Sequence, residues 1–308
     1  TAIEIGNEPD VYSGNYRSSA YDGDSVASEY LAYDTALTRL APGVPRVGPA
    51  MCCKPEDLGP FLSDGGSRGL ALLTYHHYPT DAVNHPTPGG LLSPGLMAKT
   101  AALLQLIMSD ARAVSLPLRM AESNSSSAGG EHGTSDVFAS SLWGLDYMYT
   151  LAEHGVVGVN FHGAPDGGIY SPLIDSGGVV ARPLFYAMLA FHAGAIGAPV
   201  PTTIATPANV TAHAALADDK TLHVTVINKD TLTSILARIA PATSYRSASV
   251  QFLSAPSVHD EYNVTFAGAA VPHDGTWHPG VPYALSEANG TFAVPLAPAS
   301  AAVVTLSP

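Results

Sequence analysis

The sequence predicts an α/β domain built on a parallel sheet, followed by an antiparallel β-sandwich. Three observations point there. Apolar strands alternate with amphipathic helices and no tight hairpin joins them, which requires crossover connections and parallel strands. Polar and acidic residues stand at the C-terminal ends of several of those strands, at Asn7-Glu8, His76-His77-Tyr78, Glu122 and His162. That is where a (β/α) barrel gathers its active site. Near residue 197 the helical periodicity stops and β-branched residues rise, so the chain divides into residues 1–197 and 198–308.

The elements follow in order. Ala2 to Ile5 is a strand. Ser25 to Leu40 carries Tyr30, Tyr33, Leu37 and Leu40 at spacings of three and four, with Asp24 or Ser25 as N-cap and Gly43 past the end, and is an amphipathic helix. A short strand at Arg46 to Ala50, a helical turn around Glu56 to Ser63 and a buried-type strand at Leu70 to Tyr75 come next. A helix over Gly95 to Val114 leads to strand Leu118 to Ala121. Helix Ser135 to Glu153 is stopped by Gly155, strand Val156 to Phe161 follows, and helix Pro183 to His192 closes the series. Gly65-Gly66 and Gly89-Gly90 lack the spacing of a nucleotide-binding loop, so no cofactor is expected. The Pro-rich stretch Ala198 to Thr206 is the expected linker. Short strands at 222–228, 249–253, 263–266, 291–294 and 302–306 then compose the sandwich.

The composition excludes several functions. With 26 acidic against 13 basic residues and a net charge of -13, neither nucleic acid nor an anionic membrane is an expected partner. The apolar runs Ala101 to Met108 and Ala187 to Val200 fall short of the roughly 18 residues that a membrane-spanning helix needs. The two cysteines, Cys52 and Cys53, are adjacent; a bond between them would close a strained ring, so free thiols or a bond outside the chain are expected. Sequons at Asn124, Asn209, Asn263 and Asn289 suggest a secreted glycoprotein. The one at Asn124 is expected to stay unmodified, because a glycan there would block a site at Glu122.

Glu8 and Glu122 are the candidate catalytic pair. Two glutamates at the tops of different parallel strands can converge across a barrel mouth, as glycoside hydrolysis requires: one protonates the leaving oxygen and the other attacks the anomeric carbon or activates water. Pro9 fixes the turn after Glu8, and the amide of Asn7 suits a sugar hydroxyl. His76 and His77 are read as structural. A zinc site would need further converging ligands, so no metal is expected.

The strand ends Asn7-Glu8-Pro9 and Thr74-Tyr75-His76-His77-Tyr78, with the serine-rich run Ala121 to Gly130 before a helix, resemble glycoside hydrolase family 79, the β-glucuronidase and heparanase family. The resemblance covers essentially the whole chain. It implies a partial (β/α)8 TIM barrel, strands four to eight, followed by the β-sandwich domain, with the first three strands and their helices expected on an N-terminal barrel half that this sequence lacks. It implies that Glu8 is the general acid/base and Glu122 the nucleophile of a retaining double displacement. Asn7 would bind the sugar 2-hydroxyl and Tyr78 would orient the nucleophile. Gly129, Gly130, His162 and Tyr170 are similar to the group that cradles a uronate carboxylate.

The resemblance therefore implies an exo-β-glucuronidase-like enzyme acting on a glycan with a β-linked uronic acid. Ser127 departs from the family, whose members carry a Tyr there, and this opens a neutral-sugar β-glycosidase as an alternative. The missing strands open a second one, a catalytically incomplete carbohydrate-binding protein.

Overall fold

A computed structural model describes residues 1–164 and 167–308. The chain forms two compact units that interleave along the sequence. The first comprises Thr1–Tyr78, Ala98–Asn124 and Thr150–His162, and the second Pro79–Met97, Ser125–Tyr149 and Gly163–Pro308.

The first unit holds a five-stranded parallel sheet: β1 (Ile3–Glu4), β2 (Arg46–Met51), β3 (Leu70–His77), β4 (Leu118–Ser123) and β5 (Val159–Phe161), with helix α1 (Gly23–Leu40) between β1 and β2. The spatial order is β1-β2-β3-β4-β5, identical to the chain order, and every neighbouring pair is parallel. A doubly wound sheet reverses its strand order at a switch point; an unbroken sequential order is the order of a barrel. The sheet is a half-barrel with β1 and β5 at its edges.

Several bounds differ from expectation for identifiable reasons. Helix α1 starts two residues early because Asp22, rather than Asp24 or Ser25, is the cap; its side chain accepts the Ser25 N–H at 3.0 Å. It buries Val26, Ala27 and Tyr30, whereas Tyr33 and Leu40 of the expected apolar stripe are exposed. The segment expected as one turn around 56–63 is a succession of short helices from Pro55 to Gly66. Strand β4 extends to Ser123, so Glu122 lies inside the strand. Strand β5 begins only at Val159. Gly155 stands at φ 91°, and Val156 donates its N–H to Leu151 O as part of the preceding helix cap.

Two helices cross from one unit into the other along the chain: α2 (Pro94–Ala113) and α3 (Phe138–His154). The start of α3, expected at Ser135, is delayed because Ser135 and Asp136 build the turn before it. Ser135 Oγ accepts the Glu131 N–H at 3.0 Å, and Asp136 accepts that of Gly133 at 2.7 Å. The open N–H groups of Phe138 and Ala139 go to Asp260 O and Val258 O, which satisfies donors that a helix start leaves unpaired.

Beyond residue 182 the second unit contains α4 (Pro183–Gly194) and the strands of two antiparallel sheets: β6 (Ala198–Val200), β7 (Val210–Leu216), β8 (Leu222–Asn228), β9 (Ile235–Ile239), β10 (Ser247–Ser254), β11 (Thr265–Phe266), β12 (Tyr283–Leu285), β13 (Glu287–Ala288), β14 (Thr291–Leu296) and β15 (Ser300–Ser307). The larger sheet runs β6-β7-β8-β15-β10-β11, with β12 also on β10, and the smaller runs β9-β14-β13. All their pairings are antiparallel. Inward residues of both, among them Val224, Val250, Val304, Phe292 and Val294, form one apolar core, as a sandwich requires. The expected linker is partly a strand: Ala198 to Val200 pairs with Ala214 to Leu216, and Pro199 is tolerated because β6 is an edge.

A charged cluster lies buried in this unit. Asp146 on α3 meets His213 Nε2 at 2.9 Å and the ammonium of Lys229, and the Tyr149 ring stacks on His213 at 4.7 Å. Burial works to raise the Asp146 carboxyl. The hydrogen bond from His213 and the charges of Lys229 and His213 outweigh it and hold the carboxyl below its usual range.

Candidate active site

Two irregular strand ends set the site. Opposite β3, strand β2 carries one extra residue at Ala50 and β4 one at Ala121. An inserted residue shifts which side chain faces inward. At β4 the insertion pairs Glu122 with His76, whereas Met120 pairs with Tyr75. At β2 it turns Ala50 into a junction: its N–H donates to Thr74 Oγ1 at 3.0 Å, and its carbonyl accepts the Glu8 N–H at 2.7 Å.

Glu8 follows β1 with its backbone in the left-handed region, at φ 55° and ψ 49°. For a residue with a Cβ this conformation costs about 1–2 kcal/mol and persists only where the surroundings impose it. Here the neighbouring strand end imposes it. Gly6 stands at φ 110°, and a Cβ added to it would lie 2.4 Å from Pro49 O, so only glycine lets the two backbones close together.

The geometry brings together Glu8, Glu122, Tyr78 and His162 of the residues singled out in the sequence, and adds His76. His76 Nδ1 lies 3.1 Å from Glu8 Oε1 and 3.8 Å from Glu122 Oε2. One ligand atom from each of these three residues lies within 4.8 Å of the other two. His76 is buried, whereas both glutamates are about 30% exposed, so the carboxylates stay reachable from outside. The Tyr78 hydroxyl donates to Glu122 Oε1 at 2.6 Å, and with its hydrogen committed there it accepts from His162 Nδ1 at 3.0 Å. His162 Nδ1 is itself 3.4 Å from Glu122 Oε1.

Asn7 is exposed beside Glu8, and its carbonyl accepts from Tyr12 Oη at 3.0 Å. Asn124 is fully buried and donates from Nδ2 to His162 O at 2.7 Å, which leaves its amide no room for a glycan in the folded chain. Gly129, Gly130 and Tyr170 belong to the second unit. There a Cβ on Gly130 would lie 2.9 Å from the Tyr170 ring, so Gly130 packs on Tyr170, whereas a Cβ on Gly129 would meet open space.

Two sequence readings need correction. His76, taken as structural, lies 3.1 Å from one carboxylate and 3.8 Å from the other, and nothing in the hydrophobic periodicity marked it. The cysteines are not free: Cys52 and Cys53 form a disulfide with each other, the strained ring being accommodated in the loop after β2. Their backbone amides converge on Asp10, which is 1% exposed.

Two carboxylates and an imidazole could hold a divalent cation, and two carboxylates at this spacing could also divide the work of acid and nucleophile. His77, next along β3, is not part of this group; burial pushes its imidazole down to about 4.

No protein-family profile matches the chain, and no curated protein matches it. Solved structures do. A 4-O-α-L-rhamnosyl-β-D-glucuronidase from Fusarium oxysporum 12S aligns at a TM-score of 0.79 and 23% identity, over 99% of this chain and 70% of that one. The GH51 α-L-arabinofuranosidase of Thermotoga petrophila RKU-1 aligns at 0.70 and 14%, over 98% of this chain and 65% of that one. A Paenibacillus polymyxa xyloglucanase of glycoside hydrolase family 44 aligns at 0.69 and 15%, over 99% and 65%. The chain thus spans about two thirds of the length of these proteins, and it shares the fold of TIM-barrel glycoside hydrolases, a partial barrel followed by a β-sandwich.

Proposed function

We propose that this chain carries the catalytic carboxylates of a retaining glycoside hydrolase acting on a glycan with a β-linked uronic acid, with residues 1–197 as the barrel part and 198–308 as the sandwich domain. The observation that carries the reading is the pairing of Glu8 and Glu122 at the ends of β1 and β4, with His76 between them. Retaining enzymes place their carboxyl groups ~5–5.5 Å apart, and inverting ones farther, to leave room for a water. One oxygen of each carboxyl comes within 4.8 Å of the other, a proximity in keeping with retention. The likeness to the Fusarium glucuronidase supports the substrate class.

In this reading Glu122 attacks the anomeric carbon, its free charge held in place by the Tyr78 hydroxyl. Glu8 gives its proton to the leaving oxygen and then takes one from the water that releases the glycosyl-enzyme. His76 holds the Glu8 carboxyl through its Nδ1. Asn7 is offered to the sugar 2-hydroxyl and His162 to the substrate carboxylate; Gly129, Gly130 and Tyr170 are likewise proposed as carboxylate-binding residues. Secretion is proposed as well: a disulfide persists in oxidising compartments, and the sequon residues Asn263 and Asn289 are exposed.

The test is hydrolysis of aryl β-glucuronide, β-glucoside and α-arabinofuranoside at about pH 4–5, where a glutamate pair works, by this chain alone and joined to strands that complete the barrel. Glucuronide turnover is the expected result. Preference for the glucoside would favour the neutral-sugar reading that Ser127 opens. Silence toward all three by folded protein in both forms would overturn the enzymatic reading in favour of carbohydrate binding alone.

A further inference from the structure

One buried charge near the site has no part in the proposed chemistry. Asp10 lies two residues beyond Glu8, in the 3-10 turn Pro9–Val11, and is 1% exposed. A buried carboxylate needs donors, and the loop after β2 supplies three in succession. Cys53 N donates to its Oδ2 at 2.6 Å and Lys54 N at 2.7 Å, and Cys52 N lies 3.2 Å from both oxygens. Three consecutive amides can aim at one carboxylate only in a curled backbone. The Cys52–Cys53 disulfide closes a small ring across the peptide that joins two of them and holds that curl. Its sulfurs are bonded to one another, so this group is a hydrogen-bonded cradle and not a metal site.

The same strand end meets Glu8 a second time, through Ala50 O and the Glu8 N–H at 2.7 Å. The left-handed backbone of Glu8 is therefore gripped on both sides by β2 and the loop that leaves it: by Ala50 at its own amide and by Cys52 to Lys54 two residues on. We propose that Asp10 is the positioning residue of the acid/base Glu8, and that the Cys52–Cys53 disulfide is the part of the clamp that holds the donors in place. The inference rests on the reading of Glu8 as acid/base, and its test does not require turnover.

The experiment is site-resolved amide hydrogen exchange and the Glu8 side-chain carboxyl 13C resonance, by NMR, in the wild-type chain, Asp10→Asn, Asp10→Ala and the double variant Cys52→Ala/Cys53→Ala. Local opening accelerates exchange only where protection is lost. The clamp predicts that the Glu8 amide exchanges at least about tenfold faster in Asp10→Ala, with a moved Glu8 carboxyl resonance and unchanged exchange at Leu73 and Met120 in the sheet. Asp10→Asn, which keeps one acceptor oxygen, is expected to restore part of the protection, and the double cysteine variant to lose part of it. An unmoved carboxyl resonance and unchanged Glu8 exchange in a folded Asp10→Ala, or in Asp10→Asn should the alanine variant not fold, overturns the proposal. If Glu8→Gln leaves turnover intact, the acid/base reading fails instead, whatever the exchange data say of the clamp.

Discussion

The imidazole of His76 meets Glu8 at 3.1 Å and, from the same nitrogen, approaches Glu122 at 3.8 Å. One buried side chain on β3 therefore hydrogen-bonds one carboxylate and stands close beside the other, although the two arrive on different strands. Replacing it should affect chemistry more than binding. His76→Ala is expected to lower kcat on an aryl glycoside by about 10²–10³-fold with little change in KM, within the range that a misplaced acid or base costs. A selective rise in KM would instead make His76 a substrate contact.

Because the same three side chains could hold a cation, dialysis against a chelator is informative. Turnover is expected to be unchanged by EDTA. Loss of activity restored by a divalent ion would assign the Glu8, His76 and Glu122 cluster to a metal.

Gly6→Ala is expected to destabilise the fold by roughly 1–3 kcal/mol, since the new Cβ would sit 2.4 Å from Pro49 O at a φ of 110°. Thermal or urea unfolding measures this. A neutral effect would mean that the contact between the ends of β1 and β2 is loose, and would weaken the argument that this contact shapes Glu8.

In the second unit, Asp146→Ala should cost about 3–5 kcal/mol, because it leaves the fully buried Lys229 without its counter-charge. The double variant with Lys229→Met should recover much of that loss, since an apolar replacement removes the orphaned ammonium. If the two changes simply added, the pair would not be coupled in the way its geometry implies.

Stability should also fall on acidification through His77. Its folded imidazole titrates near 4 because it is buried, whereas the unfolded chain takes up the proton near 6.5. Between these values the unfolded state binds more protons, so stability rises with pH across about 4 to 6.5 and is flat above. Melting temperatures of the wild type and His77→Gln across this range should converge toward low pH. Parallel curves would contradict the shift.

Much of this was legible in the sequence, and the exceptions have physical causes. Alternating strands and helices, with polar residues at strand ends, were enough for a parallel sheet and for Glu8 and Glu122 as candidates past apolar runs, whereas the partial barrel and the role offered to Tyr78 came with the family resemblance. The role of His76 was hidden because the insertion at Ala121 determines which residue of β4 it faces, and a one-residue insertion has no signature in hydrophobic periodicity. The disulfide was hidden because its ring is admissible only in a loop curled around Asp10, a contact across more than forty residues. Strand β9 was missed because its five residues alternate too briefly to stand out from a loop, and β7, an Ala-rich run, because alanine carries little strand signal.

The most direct test of the central claim is covalent trapping. A 2-deoxy-2-fluoro aryl β-glucuronide slows hydrolysis of the glycosyl-enzyme of a retaining enzyme, and peptide mass spectrometry then locates the attached sugar. The account predicts a single label on Glu122, absent from Glu122→Gln. A label on Glu8 or elsewhere, or no covalent adduct from a chain that turns over the unfluorinated substrate, would contradict it.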